Sequence, residues 1–147
     1  MIINHQILKF GASEALTLTL TASEQYSRQL GISETSKHDL RVKYTPLITN
    51  DTSVKLETRV YLSDDGLGTA EGDSTWYPLC YDDNDGTGNY DPTVKVYRNP
   101  ALTADLTKRS TARQLEFGAK KVRFSFKEAG SPSSAGSIDA GTLVSRE

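Results

Sequence analysis

SVKLETRVYLS, Ser53–Ser63, alternates Val54, Leu56, Thr58, Val60 and Leu62 with Lys55, Glu57, Arg59 and Tyr61. A period of two is the repeat of an extended strand, whose successive side chains point to opposite faces of a sheet. One face of this strand is therefore expected to meet a core and the other a polar environment. Three further stretches repeat the pattern. In DLRVKYTPL, Leu40, Val42 and Tyr44 oppose Arg41, Lys43 and Thr45; in ALTLTLTA, Leu16, Leu18 and Leu20 oppose Thr17, Thr19 and Thr21; in KKVRFSFKE, Val122, Phe124 and Phe126 oppose Arg123, Ser125 and Lys127. TVKVYRN, RQLEFG and GTLVS add shorter strand candidates.

Turn chemistry separates these runs. TND at 49–51, SDDGLGTAEGD at 63–73, DDNDGTGNYD at 82–91 and EAGSPSSAGSIDAG at 128–141 are rich in the residues that supply special backbone angles or local side-chain hydrogen bonds. Only SEQYSRQLGI (23–32) and PALTADLTKRS (100–110) have room for a helical turn or two, as connectors. The expectation is a mainly β chain: a single antiparallel β-sandwich over 1–147, jelly-roll or immunoglobulin-like, with long loops, extended termini and a flexible hairpin or tail at 129–147.

A chain of 147 residues buries roughly 70% of its unfolded surface on folding, enough for one core without disulfides or a structural metal. The single cysteine, Cys80, has no intramolecular partner for a disulfide, and WYPLCY around it reads as a buried, inert thiol. No run of apolar residues is long enough for a helical membrane span, and MIINHQILKF lacks the form of a secretory signal, so the expected site of synthesis and use is a reducing cytoplasm. A net charge of −2 argues against generic nucleic-acid binding. The charge is unevenly spread. From Ser63 to Pro92 there are eight aspartates or glutamates and no Lys or Arg, whereas Lys108 to Lys127 carries seven Lys or Arg against Glu116 alone. Complementary charge of this kind sets register at protein interfaces. Lys120, Lys121, Arg123 and Arg113 on the basic strands, with Asp82 and Asp85 in the acidic loop, are the interface candidates.

Chemistry-bearing patterns are sparse. Read as a calcium loop from Asp83, the acidic stretch places Asp85, Thr87, Gly88 and Asp91 suitably, but Val94 stands where the bidentate glutamate belongs. An irregular oxygen cage of Asp83, Asp85 and Asp91 is the remaining calcium candidate, against the plainer reading of a solvated loop. His5 and His38 lack ligand-spaced neighbours and read as surface residues. Asp64 and Asp65 are a formal carboxylate pair, but adjacent aspartates in SDDG are ordinary turn chemistry. No enzyme activity and no cofactor are expected. Trp76, Tyr77 and Tyr90 flank the acidic loop, either as core anchors or as an aromatic surface that stacks on sugars.

The segment from TRVYLSDDG through STWYPLCYDD to KKVRFSFKE resembles two kinds of small sandwich protein. Ser63, Asp65, Gly66 and Trp76 are similar to the S-x-DG-x-x-W hairpin of discoidin-type sugar-binding domains, although LGTAEGDST lengthens that turn and the disulfide cysteines of such domains are missing. In overall character, short, cysteine-poor and rich in Thr and Ser, the chain resembles head decoration or cement proteins of tailed bacteriophages. That resemblance implies a non-enzymatic virion protein, made in the host bacterial cytoplasm. Its implied partners are the major capsid protein and copies of itself, with no nucleic acid or membrane. The alternatives are a neck or tail-adaptor protein of the virion, or a carbohydrate-binding module.

Overall fold

The computed structural model describes residues 3–32, 37–47, 54–79, 97–98, 109–116, 118–130 and 136–146, with backbone alone for 97–98 and 109–116. The strands are β1 (Ile3–Ile7), β2 (Leu18–Thr19), β3 (Gln25–Tyr26), β4 (Leu30–Gly31), β5 (Lys37–Thr45), β6 (Lys55–Ser63), β7 (Tyr77–Pro78), β8 (Tyr97–Arg98), β9 (Arg109–Glu116), β10 (Lys121–Ala129) and β11 (Ser137–Arg146). A 3-10 turn, Glu71–Asp73, precedes β7. The chain is mainly β, in two antiparallel sheets that form a sandwich. The first sheet runs β1-β11-β5-β9, with β2 beside β1 on the edge of β11. The second runs β3-β10-β6-β7, with β4 also on β10 and β8 also on β6.

The alternation in the sequence decides the inner faces. Leu40, Val42 and Tyr44 of β5, Leu56, Val60 and Leu62 of β6, and Val122, Phe124 and Phe126 of β10 are each at most 4% exposed and form one cluster. Leu8, Phe10, Leu20, Ala119, Ile138 and Leu143 complete it, with Phe10 edge-on to Phe126 at 6.0 Å between ring centroids. Full burial of each Leu or Phe side chain contributes about 1.5–3 kcal/mol, so these strands hold the two sheets together. At the crossing of β11 with the segment after β1, Gly141 accepts the Leu8 backbone N–H at 2.9 Å, and a Cβ on Gly141 would stand 3.1 Å from that of Leu8. Glycine inside this strand is a close-approach site.

Four expectations are corrected. Residues 23–32 form the short strands β3 and β4 rather than helical turns, because they pair with β10. ALTLTLTA yields only the two residues of β2: Leu18 and Leu20 turn inward, while Leu16 is 53% exposed. SIDAG belongs to a strand rather than a turn, since β11 lies inside the first sheet between β1 and β5. For the same reason 137–146 is no flexible tail, and the described ends are not extended arms: Ile3 and Arg146 face each other in register.

His38 is also not a surface residue. It is wholly buried on the inner face of β5, with Nδ1 2.8 Å from Ser145 Oγ. Burial holds its pKa below the ordinary 6.5, partly opposed by the charge of Asp39. The folded chain then binds fewer protons than the unfolded chain between that lowered value and 6.5. Stability is therefore expected to fall as the pH drops through about 6.5 and to level off below the folded pKa. Urea unfolding at a series of pH values should show this slope, and His38→Gln should flatten it.

Candidate interaction surfaces

The outer face of the second sheet is covered rather than bare. Odd-numbered residues of β10 point outward, yet Lys121 is wholly buried, Ser125 is 1% exposed and Arg123 is half-buried. The cover comes from the chain around β3 and from the loop between β6 and β7. Glu24 accepts hydrogen bonds from Arg59 at 3.0 Å, Tyr61 Oη at 3.0 Å and Ser125 Oγ at 2.9 Å. Burial pushes its pKa up, but the three donors and the Arg59 charge outweigh it, so the carboxyl lies below its ordinary value. Burial and the Glu24 carboxylate hold the Tyr61 hydroxyl far above the usual range.

Arg123 sits among aromatic rings. Its guanidinium lies 4.3 Å from the ring centre of Tyr26, 4.6 Å from that of Trp76 and 5.9 Å from that of Tyr61. Such stacking suits the weakly hydrated, planar guanidinium, each contact contributing about 0.5–2 kcal/mol. Trp76 is half-buried outside the core cluster and donates its indole N–H to Glu71 O at 3.1 Å. One face of the indole is thus taken by a protein cation. Tyr77 is 37% exposed and donates to Asp64 Oδ2 at 3.2 Å.

The loop from Asp64 to Trp76 closes on itself. Asp65 Oδ2 accepts from the Thr75 N–H at 2.7 Å and from Ser63 Oγ at 3.3 Å. Of the formal carboxylate pair, Asp65 thus fastens the loop, whereas Asp64 is exposed and accepts from the Tyr77 hydroxyl. The ammonium of Lys121 donates into the same loop, to Thr69 O at 3.1 Å, Gly66 O at 3.4 Å and Ser74 Oγ. Lys121 is therefore removed from the interface candidates: its charge is consumed inside the fold. Arg123 faces outward but is held by its rings, and Lys120 is exposed. Arg113 lies on β9 opposite Leu40 in register. Asp82, Asp83, Asp85, Tyr90 and Asp91 lie outside the described residues, as does Cys80, and so do the calcium candidate and one of the three aromatic candidates. Among the described residues, no group of three or more His, Cys, Asp or Glu is placed to hold a metal.

The outer face of the first sheet is the more open surface, and its charge was only partly marked by the sequence. In register across β1, β11 and β5, one row reads Ile3, Arg146, Lys37; the next His5, Val144, Asp39; the next Ile7, Thr142, Arg41; and Lys43 follows beside Ala140. Lys37, Arg41 and Lys43 are exposed and Arg146 is partly so. Asp39, nearly buried, accepts from Arg146 and lies 4.0 Å from Arg41. Four cations thus share β5 and β11 with two carboxylates, Asp39 between Arg41 and Arg146 and Asp139 beside Thr45, and Glu116 of β9 is next to Lys37 in register. Period two in DLRVKYTPL predicts Arg41 and Lys43 on this face. Arg146 joins them only because β11 pairs with β5, which nothing local to either strand announces. No helix among the described residues is long and apolar enough to cross a membrane. A scan against protein-family models finds no match for the chain, and no curated protein matches it.

Proposed function

We propose that this chain is a non-enzymatic virion structural protein of the tailed-bacteriophage kind, a head decoration or cement protein, and that the outer wall of its first sheet is the face it presents to the shell. The observation that supports the reading is the cationic pattern of Lys37, Arg41, Lys43 and Arg146, which outnumber the carboxylates of Asp39 and Asp139 on the same two strands. β5 and β11 carry core residues on their other face, so these charges are fixed in register and their pattern can be read by a complementary acidic surface. On a repeating lattice, modest contacts add through avidity. The phage assignment itself rests on the overall character of the sequence.

The test is co-sedimentation of the chain with empty shells assembled from the major capsid protein of the same virus. Saturable binding at a fixed ratio is expected, weakening with salt. Arg41→Glu combined with Lys43→Glu should reduce it at least tenfold while circular dichroism stays unchanged. Absence of shell binding at low salt would overturn the reading. Glycan binding lost on Trp76→Ala, with the fold intact, would turn it toward a carbohydrate-binding module.

A further inference from the structure

β1 is an edge strand whose sequence, Ile3-Asn4-His5-Gln6-Ile7, is nearly a palindrome: isoleucine at both ends, an amide next to each, histidine in the middle. Its alternation is inverted with respect to the core, for Ile3 is 52% and Ile7 58% exposed. Edge strands normally carry lysine, proline or a bulge that discourages pairing with another chain, and these five residues carry none.

The direction of the backbone groups on this strand can be worked out. In an antiparallel pair, alternate residues turn both their N–H and C=O toward the same neighbour. The Leu8 N–H donates to Gly141 O on β11 at 2.9 Å, so Asn4 and Gln6, in phase with Leu8, also address β11. Ile3, His5 and Ile7 address the opposite side. Lys9, in phase with them, confirms the direction, because its carbonyl accepts the Arg28 N–H at 2.7 Å on that side. Arg28 therefore closes the edge just beyond Ile7. Among the described residues no strand occupies the edge from Ile3 to Ile7. A groove of about 540 Å³, lined by His5, Gln6, Ile7, Arg28 and Leu30 among others, runs beside it.

We infer that this edge is a dimer interface, in which β1 of a second copy pairs antiparallel with β1 about a two-fold axis at His5. In that register Ile3 stands opposite Ile7 of the other copy, His5 opposite His5, and Asn4 opposite Gln6. The residues brought into hydrogen-bonded pairs are the ones whose backbone groups are turned outward, giving about six new hydrogen bonds, two per pair. Ile3, His5 and Ile7 of both copies then share the outer face, where facing isoleucines bury one another. A self-complementary patch of this kind is what a two-fold interface requires. The inference goes beyond the shell-binding proposal and stands without it: the two first sheets would fuse into one, with both cationic walls on the same side.

The experiment is sedimentation equilibrium and light scattering on the full chain with no shell present. A concentration-dependent dimer is expected. His5→Pro should abolish it with little effect on the monomer, because the lost N–H points away from β11, and proline is tolerated on an edge strand in that position. Should that variant misfold, Ile3→Lys with Ile7→Lys sets like charges opposite each other and should raise the dimer dissociation constant by at least about tenfold. A nitroxide attached through His5→Cys, in a Cys80→Ser background, should show close dipolar broadening that the same label at Lys43 does not. A monomer at every attainable concentration, or a dimer unaffected by both variants, would overturn the proposal. Failure of shell binding with dimerisation intact would count against the shell-binding proposal alone.

Discussion

Lys121→Ala is expected to lower the unfolding free energy by about 3 kcal/mol, a large loss for a residue that the sequence places on an outward strand face. Three contributions combine. The ammonium of Lys121 has its three protons directed to Thr69 O, Gly66 O and Ser74 Oγ, and hydrogen bonds from a charged group contribute about 1.5–3 kcal/mol each before the cost of burying the charge is set against them. The aliphatic stem is wholly buried, so truncation also removes packing. The Trp76 ring, 5.6 Å from Nζ, loses a cation at its face. The carbonyls left behind lie on a loop that water can reach, which keeps the penalty below that of an orphaned charge. Lys121→Met keeps the stem and should recover about half of the loss. Urea denaturation measures the magnitude, and hydrogen exchange locates it: amides of 64–76 should exchange faster in either variant, while those of β5 and β11 should follow global stability alone. Unchanged exchange in 64–76 would show that Lys121 does not fasten this loop.

Lys121 lies where the periodic pattern of the sequence stops being informative. A period of two tells inside from outside only while a strand has one wet face. It placed Leu40, Val42 and Tyr44, and likewise Val122, Phe124 and Phe126, correctly, because each lies against the opposite sheet. It failed for Lys121, Arg123 and Ser125, because the chain around Glu24 and the loop from Asp64 to Trp76 fold over that face, and a covering loop leaves no periodic trace in the strand it covers. LGTAEGDST, which lengthens the Asp65–Trp76 connection, supplies the Gly66 and Thr69 carbonyls and the Ser74 hydroxyl that receive Lys121. β1 is hidden in the sequence for the reverse reason: its isoleucines are exposed, and Gln6 turns in to donate to Gly31 O of the other sheet at 2.8 Å. The basic wall was half legible, since Arg41 and Lys43 alternate with the core of β5 whereas Arg146 depends on a pairing between strands far apart in the chain.

Tyr44→Phe is expected to cost about 2–3 kcal/mol, although it deletes one oxygen. Glu128 is 1% exposed and lies in phase with Val122, Phe124 and Phe126, so its carboxyl points between the sheets. Its parity signals this, but a charge beside the glycine- and serine-rich stretch reads more readily as the start of a turn. Tyr44, on the opposite sheet, donates its hydroxyl to Glu128 Oε2 at 2.5 Å, and Gly136 N–H reaches Oε1 at 3.4 Å. Without the tyrosine hydroxyl, the carboxyl keeps only the longer of these two donors among the described residues. An unsatisfied buried acceptor bears its full desolvation cost, which is why removing one partner is worse than removing both. Glu128→Leu in the Tyr44→Phe background should therefore be less destabilised than the sum of the single variants by about 1–2 kcal/mol, a coupling that a double-mutant cycle by urea denaturation measures directly. The two residues lie on different sheets, so the coupling reports how firmly the sandwich is tied at this end, beside the bulge where β11 shifts register between Ile138 and Ala140. Additive effects, or a loss under about 0.5 kcal/mol for Tyr44→Phe, would mean that water reaches Glu128 and that apolar packing alone holds the sheets together there.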